Sequence, residues 1–201
     1  MTIGFYIIII LVLGYLTVYL RERWLRAKWL KPLTWLGIFI HESCHALASI
    51  LTGGKVTSFK VSATQGSVSH YPSKVPIVGP MLIALAPLIG GLAIIGLVNH
   101  FWLKTPINLN YTNIKDAFFI LINSINWLSW QALIWLIICL NIGVMLGPSK
   151  QDLKNIWLIV IISFFISSQA IGQVLTLAIV LIMINLILFL AFSLIKYLLK
   201  Q

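Results

Sequence analysis

The chain has 201 residues, 14 Lys+Arg against 4 Asp+Glu, a formal net charge of +10, and a composition that is 60% hydrophobic but only 9% charged. Soluble domains are about 45–50% apolar and about 25% charged, and disordered chains are poorer still in apolar residues, so a mean hydropathy of +1.02 excludes both classes. The basic residues sit in short clusters between long apolar runs, which argues against a nucleic-acid partner and for a multi-pass helical protein whose solvent is the lipid bilayer.

Residues 3–20 form the first apolar run, close to the roughly 20 residues a transmembrane helix needs. They follow no basic segment and precede no small-residue cleavage site, so they read as a retained span rather than a cleaved leader. Residues 21–31 interleave Arg21, Arg23, Arg26, Lys28 and Lys31 with Trp24, Leu25, Trp29 and Leu30. This pattern suits an interfacial anchor with snorkelling bases and aromatics at headgroup level, or a contact with anionic lipid.

The second span, residues 33–51, is apolar except for His41, Glu42, Ser43 and His45, and Gly53–Gly54 follows as a helix stop. Residues 55–71 are polar and lack helical periodicity. Val56, Phe59, Val61 and Val68 around Gln65–Gly66 predict a short β-hairpin. Residues 77–98 make a third span containing Pro80, Pro87 and Gly90–Gly91, and residues 99–115 a loop.

The fourth span, residues 117–140, carries Asn123, Ser124, Asn126, Ser129 and Gln131, an expected inward-facing polar face. Gly143, Gly147 and Pro148 break the chain before Asp152. A fifth span at residues 152–170 and a sixth at 174–195 are divided by Ser167–Gln169 and Gly172–Gln173. The expected fold class is therefore all-α polytopic: a single membrane-embedded domain of about six transmembrane helices with a short β-hairpin after the second. Basic residues divide evenly between the two sides of such a layout, so charge sets no orientation. Cys44 and Cys139 lie in separate spans and make no disulfide framework.

His41-Glu42-Ser43-Cys44-His45 is an H-E-x-x-H motif. Positions i and i+4 share one helical face, so both imidazoles can ligate one zinc ion, while Glu42 beside them can take a proton from an attacking water. From this composition the chance expectation is roughly 0.001 matches. Two histidines and a glutamate inside a span are also costly, and such groups are functional by default.

Zinc requires a third protein ligand and an open position. The oxygen and nitrogen candidates are Glu22, His70, His100, Asp116 and Asp152. Asp152 starts the fifth span on the side of the membrane nearer His45, so depth favours it. An ordinary helix cap is the competing role for that residue. Nothing in the pattern marks a substrate-binding residue or an oligomeric state.

The stretch from Gly37 to Ala48 around the motif, Leu51-Thr52-Gly53-Gly54-Lys55-Val56 after it, and Gly79-Pro80-Met81 with Ala86-Pro87 together resemble the site-2 protease family of intramembrane zinc metalloproteases. The similarity is to its small members without an inserted peptide-binding domain. The chain departs from the family at Cys44, where Gly is common, and at Leu153, where Gly usually follows the Asp. The resemblance implies a hairpin beside the active site, a mouth on the cytosolic face and a later Asp completing the zinc site.

The expected activity is that of a zinc metalloendopeptidase. Glu42 is its general base, His41, His45 and Asp152 hold Zn2+, and the substrate is a membrane protein. The expected setting is the cell membrane of a prokaryote. The alternatives are a zinc-binding membrane scaffold or assembly factor without hydrolysis, and a metal transporter. An intact Glu42 favours hydrolysis over the scaffold, and the lack of a His/Asp series along several spans disfavours transport.

Overall fold

The computed structural model describes residues 2–24, 31–62, 65–103, 113–143 and 145–198. In chain order these form α1 (Ile3–Trp24), α2 (Lys31–Leu51), β1 (Val56–Val61), β2 (Gly66–His70), α3 (Val78–Val98), a π-helical turn (Asn99–Leu103), α4 (Ile114–Ser124), α5 (Trp130–Gly143), α6 (Lys150–Ser163) and α7 (Gln169–Leu198). The centre of the expected interfacial anchor, residues 25–30, and much of the expected loop, residues 104–112, lie outside the described residues. The π-helical turn occupies the start of that loop and prolongs α3.

Helices α1, α2 and α3 and the hairpin lie close to the bounds expected for the first three spans and the hairpin. Strands β1 and β2 pair antiparallel, with Phe59 opposite Val68 and Val61 opposite Gly66. Ser62 closes the turn: its N–H and its hydroxyl both donate to the Gln65 carbonyl, at 2.8 and 2.9 Å.

The fourth span is corrected. Residues 117–140 are not one helix but parts of α4 and α5, separated by residues 125–129. The polar cluster is the physical reason, because short polar side chains compete with the helix for backbone groups. Ser124 Oγ donates to the Leu121 carbonyl, Asn126 Oδ1 accepts from Leu128 N–H, and Ser129 Oγ accepts from Ala132 N–H to start α5. Asn123, Ser124 and Asn126 are exposed rather than turned inward. The fifth span is likewise shorter than expected, with α6 ending at Ser163. The sixth is longer, with α7 running 30 residues.

Among the described residues, three helical segments are long and apolar enough to cross a membrane: Ile3–Leu20, Val78–Trp102 and Gln169–Leu188. Trp35–Leu51 and Trp130–Gly143 are apolar but shorter. The outer surface suits lipid, with large apolar side chains such as Val12, Leu47, Ile161 and Leu190 exposed on α1, α2, α6 and α7. A water-soluble monomer rarely leaves so much apolar surface uncovered.

Helix α7 is the central post, with Ala178–Ile182 almost wholly buried. Its core includes Ile10 of α1, Ile95 of α3, Trp135 and Cys139 of α5, and Leu146 beyond α5. Helix α2 packs on α3 and α5, and the hairpin packs on α2.

The α2–α5 contact is close enough to need a glycine. A Cβ on Gly37 would fall on the Asn141 carbonyl oxygen, and backbone cannot move aside as a flexible side chain can. Gly37→Ala is therefore expected to lower stability by about 1–3 kcal/mol through overpacking. A fall in thermal midpoint in detergent checks this. Gly172→Ala serves as the comparison, since its added Cβ would meet only the Tyr6 ring, at an ordinary 3.7 Å, and should leave the midpoint unchanged or raised.

Candidate metal centre

Helix α2 carries His41 and His45 one turn apart, which sets their rings edge to face on one side of the helix with centroids 4.7 Å apart. His41 is 7% exposed and His45 half-buried. His41 Nδ1 lies 2.7 Å from the Met145 carbonyl and His45 Nδ1 lies 2.9 Å from the Ile83 carbonyl. A carbonyl oxygen can only accept, so each ring carries its proton on Nδ1. In the neutral rings both Nε2 atoms then present lone pairs, and these converge to 3.1 Å. Two lone pairs at that separation repel unless a cation or a proton lies between them.

Asp152 comes from the first turn of α6. Its two carboxylate oxygens do different work. Oδ2 accepts from Ser149 N–H at 2.8 Å, and Asp152 N–H donates to Ser149 Oγ at 3.2 Å, a reciprocal capping box. Oδ1 faces His45 Nε2 at 3.7 Å. The cap and the site are thus served by one residue rather than being alternatives, with Ser149 as the capping residue proper. Ligand atoms of His41, His45 and Asp152 all lie within 4.8 Å of one another.

Two imidazole nitrogens and one carboxylate oxygen are a donor set that suits zinc with a position left open. The backbone carbonyls behind both rings are the outer partners that fix the tautomer a metal needs.

Glu42 is 8% exposed and is not one of the three grouped donors, although the Asp152 carboxylate lies near enough to act on its charge. The hairpin closes over Glu42. A Cβ on Gly66 would meet Glu42 Cγ and lie 2.7 Å from both Glu42 Oε1 and Ile38 Cγ2, so β2 can reach this position only with glycine there. A narrow apolar cleft reaches His41, lined by Ile10, Leu85, Leu88, Pro148 and Ile156 among others.

The other candidates are elsewhere. His70 meets the Tyr71 carbonyl, His100 rests on Phe101, and Asp116 joins Asn113 at the start of α4. The Glu22 side chain lies outside the described residues. Cys44 and Cys139 are free thiols, Cys44 beside Gly90 and Cys139 in the core. The sequence reading did not find the Ile83 and Met145 carbonyls, Ser149 or Gly66. Of these, Ser149 with Asp152 three residues later had a readable capping pattern.

A family model described as Peptidase M50B-like matches residues 6–178. The chain belongs to that family. The site-2 protease resemblance of the motif helix is thereby borne out. No curated protein and no solved structure matches the chain. The M50 family comprises zinc metalloproteases of membranes, and the matched region contains every residue of the centre described above.

Ser149→Ala is expected to cost about 1 kcal/mol of stability through the lost cap. It should also weaken metal binding without removing a ligand, because Asp152 loses one of its two restraints. Chelator competition and thermal unfolding on the same preparation separate the two effects.

Proposed function

We propose that the chain is a zinc-dependent intramembrane endopeptidase that hydrolyses a peptide bond in or near a substrate's membrane helix, with His41, His45 and Asp152 as the zinc ligands and Glu42 as general base. The observation that carries this reading is the convergence of two Nδ1-protonated imidazoles and one carboxylate beside an acidic residue that is not among the ligands. A binding scaffold needs the three ligands but has no use for Glu42.

Zinc, when bound, supplies Lewis-acid polarisation of a carbonyl and lowers the pKa of a water molecule toward about 7. The chain's own groups do the rest. Glu42 takes the proton from the water as its oxygen attacks the scissile carbonyl carbon. It then delivers that proton to the leaving amide nitrogen as the C–N bond breaks. The Ile83 and Met145 carbonyls hold the histidines in their tautomer throughout. The hairpin brings two strands against α2, and each has an edge that its partner strand leaves unpaired. An extended stretch of substrate could add to such an edge by main-chain hydrogen bonds, which also answers how a helical substrate exposes a peptide bond. Burial around Glu42 limits bulk water to the reacting groups.

Glu42→Gln preserves shape and removes the base. Cleavage of a labelled single-span membrane peptide in proteoliposomes should fall by about 10²–10⁴-fold, with zinc content unchanged by elemental analysis. His41→Ala, His45→Ala and Asp152→Asn should lose zinc and activity together. Wild-type cleavage by Glu42→Gln would eliminate this mechanism. Gly66→Val places a branched side chain on Glu42 and should reduce cleavage at least tenfold at unchanged zinc content, whereas full activity would show that the hairpin can leave its place over the base without consequence.

A further inference from the structure

Helix α3 runs from Val78 to Val98 with Pro87 in its interior. Proline has no N–H, so the intrahelical bond from residue 87 to the carbonyl four residues earlier is not made. That carbonyl belongs to Ile83. It is the same carbonyl that His45 Nδ1 meets at 2.9 Å, across a sequence separation of 38 residues.

An interior proline usually leaves a freed carbonyl that a neighbouring group must satisfy. Here the group that satisfies it is one of the two motif histidines. Pro87 also lines the cleft that reaches His41, so the missing helical bond lies beside the centre rather than at a distance from it.

We propose that Pro87 is a positioning residue for His45. By withholding an N–H from the Ile83 carbonyl, it keeps that oxygen available to His45 Nδ1–H, which fixes the ring's tautomer and turns Nε2 toward His41 and Asp152. This rests on the metal-site reading given above, but it concerns a residue that touches neither metal nor substrate. Pro80, in the same helix, provides the contrast. It is the third residue of α3, where an N–H has no intrahelical acceptor in any case.

The test compares Pro87→Ala with Pro80→Ala in the full chain in detergent. Two quantities are measured: affinity for Zn2+ by chelator competition, and the ring 15N shifts of His45 in zinc-free protein, assigned with His45→Gln. The wild type should show a protonated, pyrrole-type Nδ1 at His45. In Pro87→Ala the restored N–H competes for Ile83, so the His45 ring should become a mixture of tautomers. Zinc affinity should then drop about tenfold, the lower end of what loss of an outer-shell partner costs. Pro80→Ala should match the wild type in both. An unchanged affinity and an unchanged His45 shift in Pro87→Ala overturn the proposal.

If Pro87→Ala does not fold, the wild-type spectrum decides, because an unprotonated Nδ1 at His45 contradicts the proposal and a protonated one supports it. A wild type that binds no zinc yet shows the protonated Nδ1 sinks the metal reading while leaving the role of Pro87 supported.

Discussion

Two hydrogen bonds from imidazole to backbone carbonyl are the constraint on which the site depends. A histidine can offer either ring nitrogen, and a metal site fails if the proton sits on the wrong one. Here the Met145 carbonyl, 104 residues away in sequence, holds His41, and the Ile83 carbonyl holds His45. Neither acceptor belongs to α2. The motif helix therefore cannot assemble a centre alone. It must lie against α3 on one side and against the break after α5 on the other, and Gly37 leaves room for the second of these contacts.

The same economy governs Asp152. Its position is fixed by being the third residue of α6, where one carboxylate oxygen ties down the start of the helix. The other oxygen is left pointing at His45. The backbone of α6 thus aims the carboxylate, and the three candidate donors are presented from two helices.

Much of this was legible in the sequence, and the rest was not for physical reasons. His41 and His45 are readable because helical period alone puts residues four apart on one face. Asp152 is readable because depth in a membrane orders candidates along one axis. The hairpin shows through the loss of helical period and the small residues at its turn. By contrast, a backbone carbonyl has no letter of its own, so Ile83 and Met145 leave no trace in a pattern of side chains. The run from Ala117 to Leu140 looks like one span because its summed hydropathy is high. Whether Asn126 and Ser129 bond to solvent or to their own backbone is a local competition that hydropathy does not record, and here the backbone prevailed.

The short length of α5 and α6 has a consequence for the lipid around them. At 14 residues each, they rise about 21 Å, while the hydrocarbon of an ordinary bilayer is about 30 Å thick. A bilayer seated on α1 and α7 would overhang both short helices by several ångströms, and lipid answers such a mismatch by thinning. The headgroups and their hydration would dip toward the junction of α5 and α6, where Asp152 stands. In that geometry the distance from hydrated headgroups to Asp152 would be shortened.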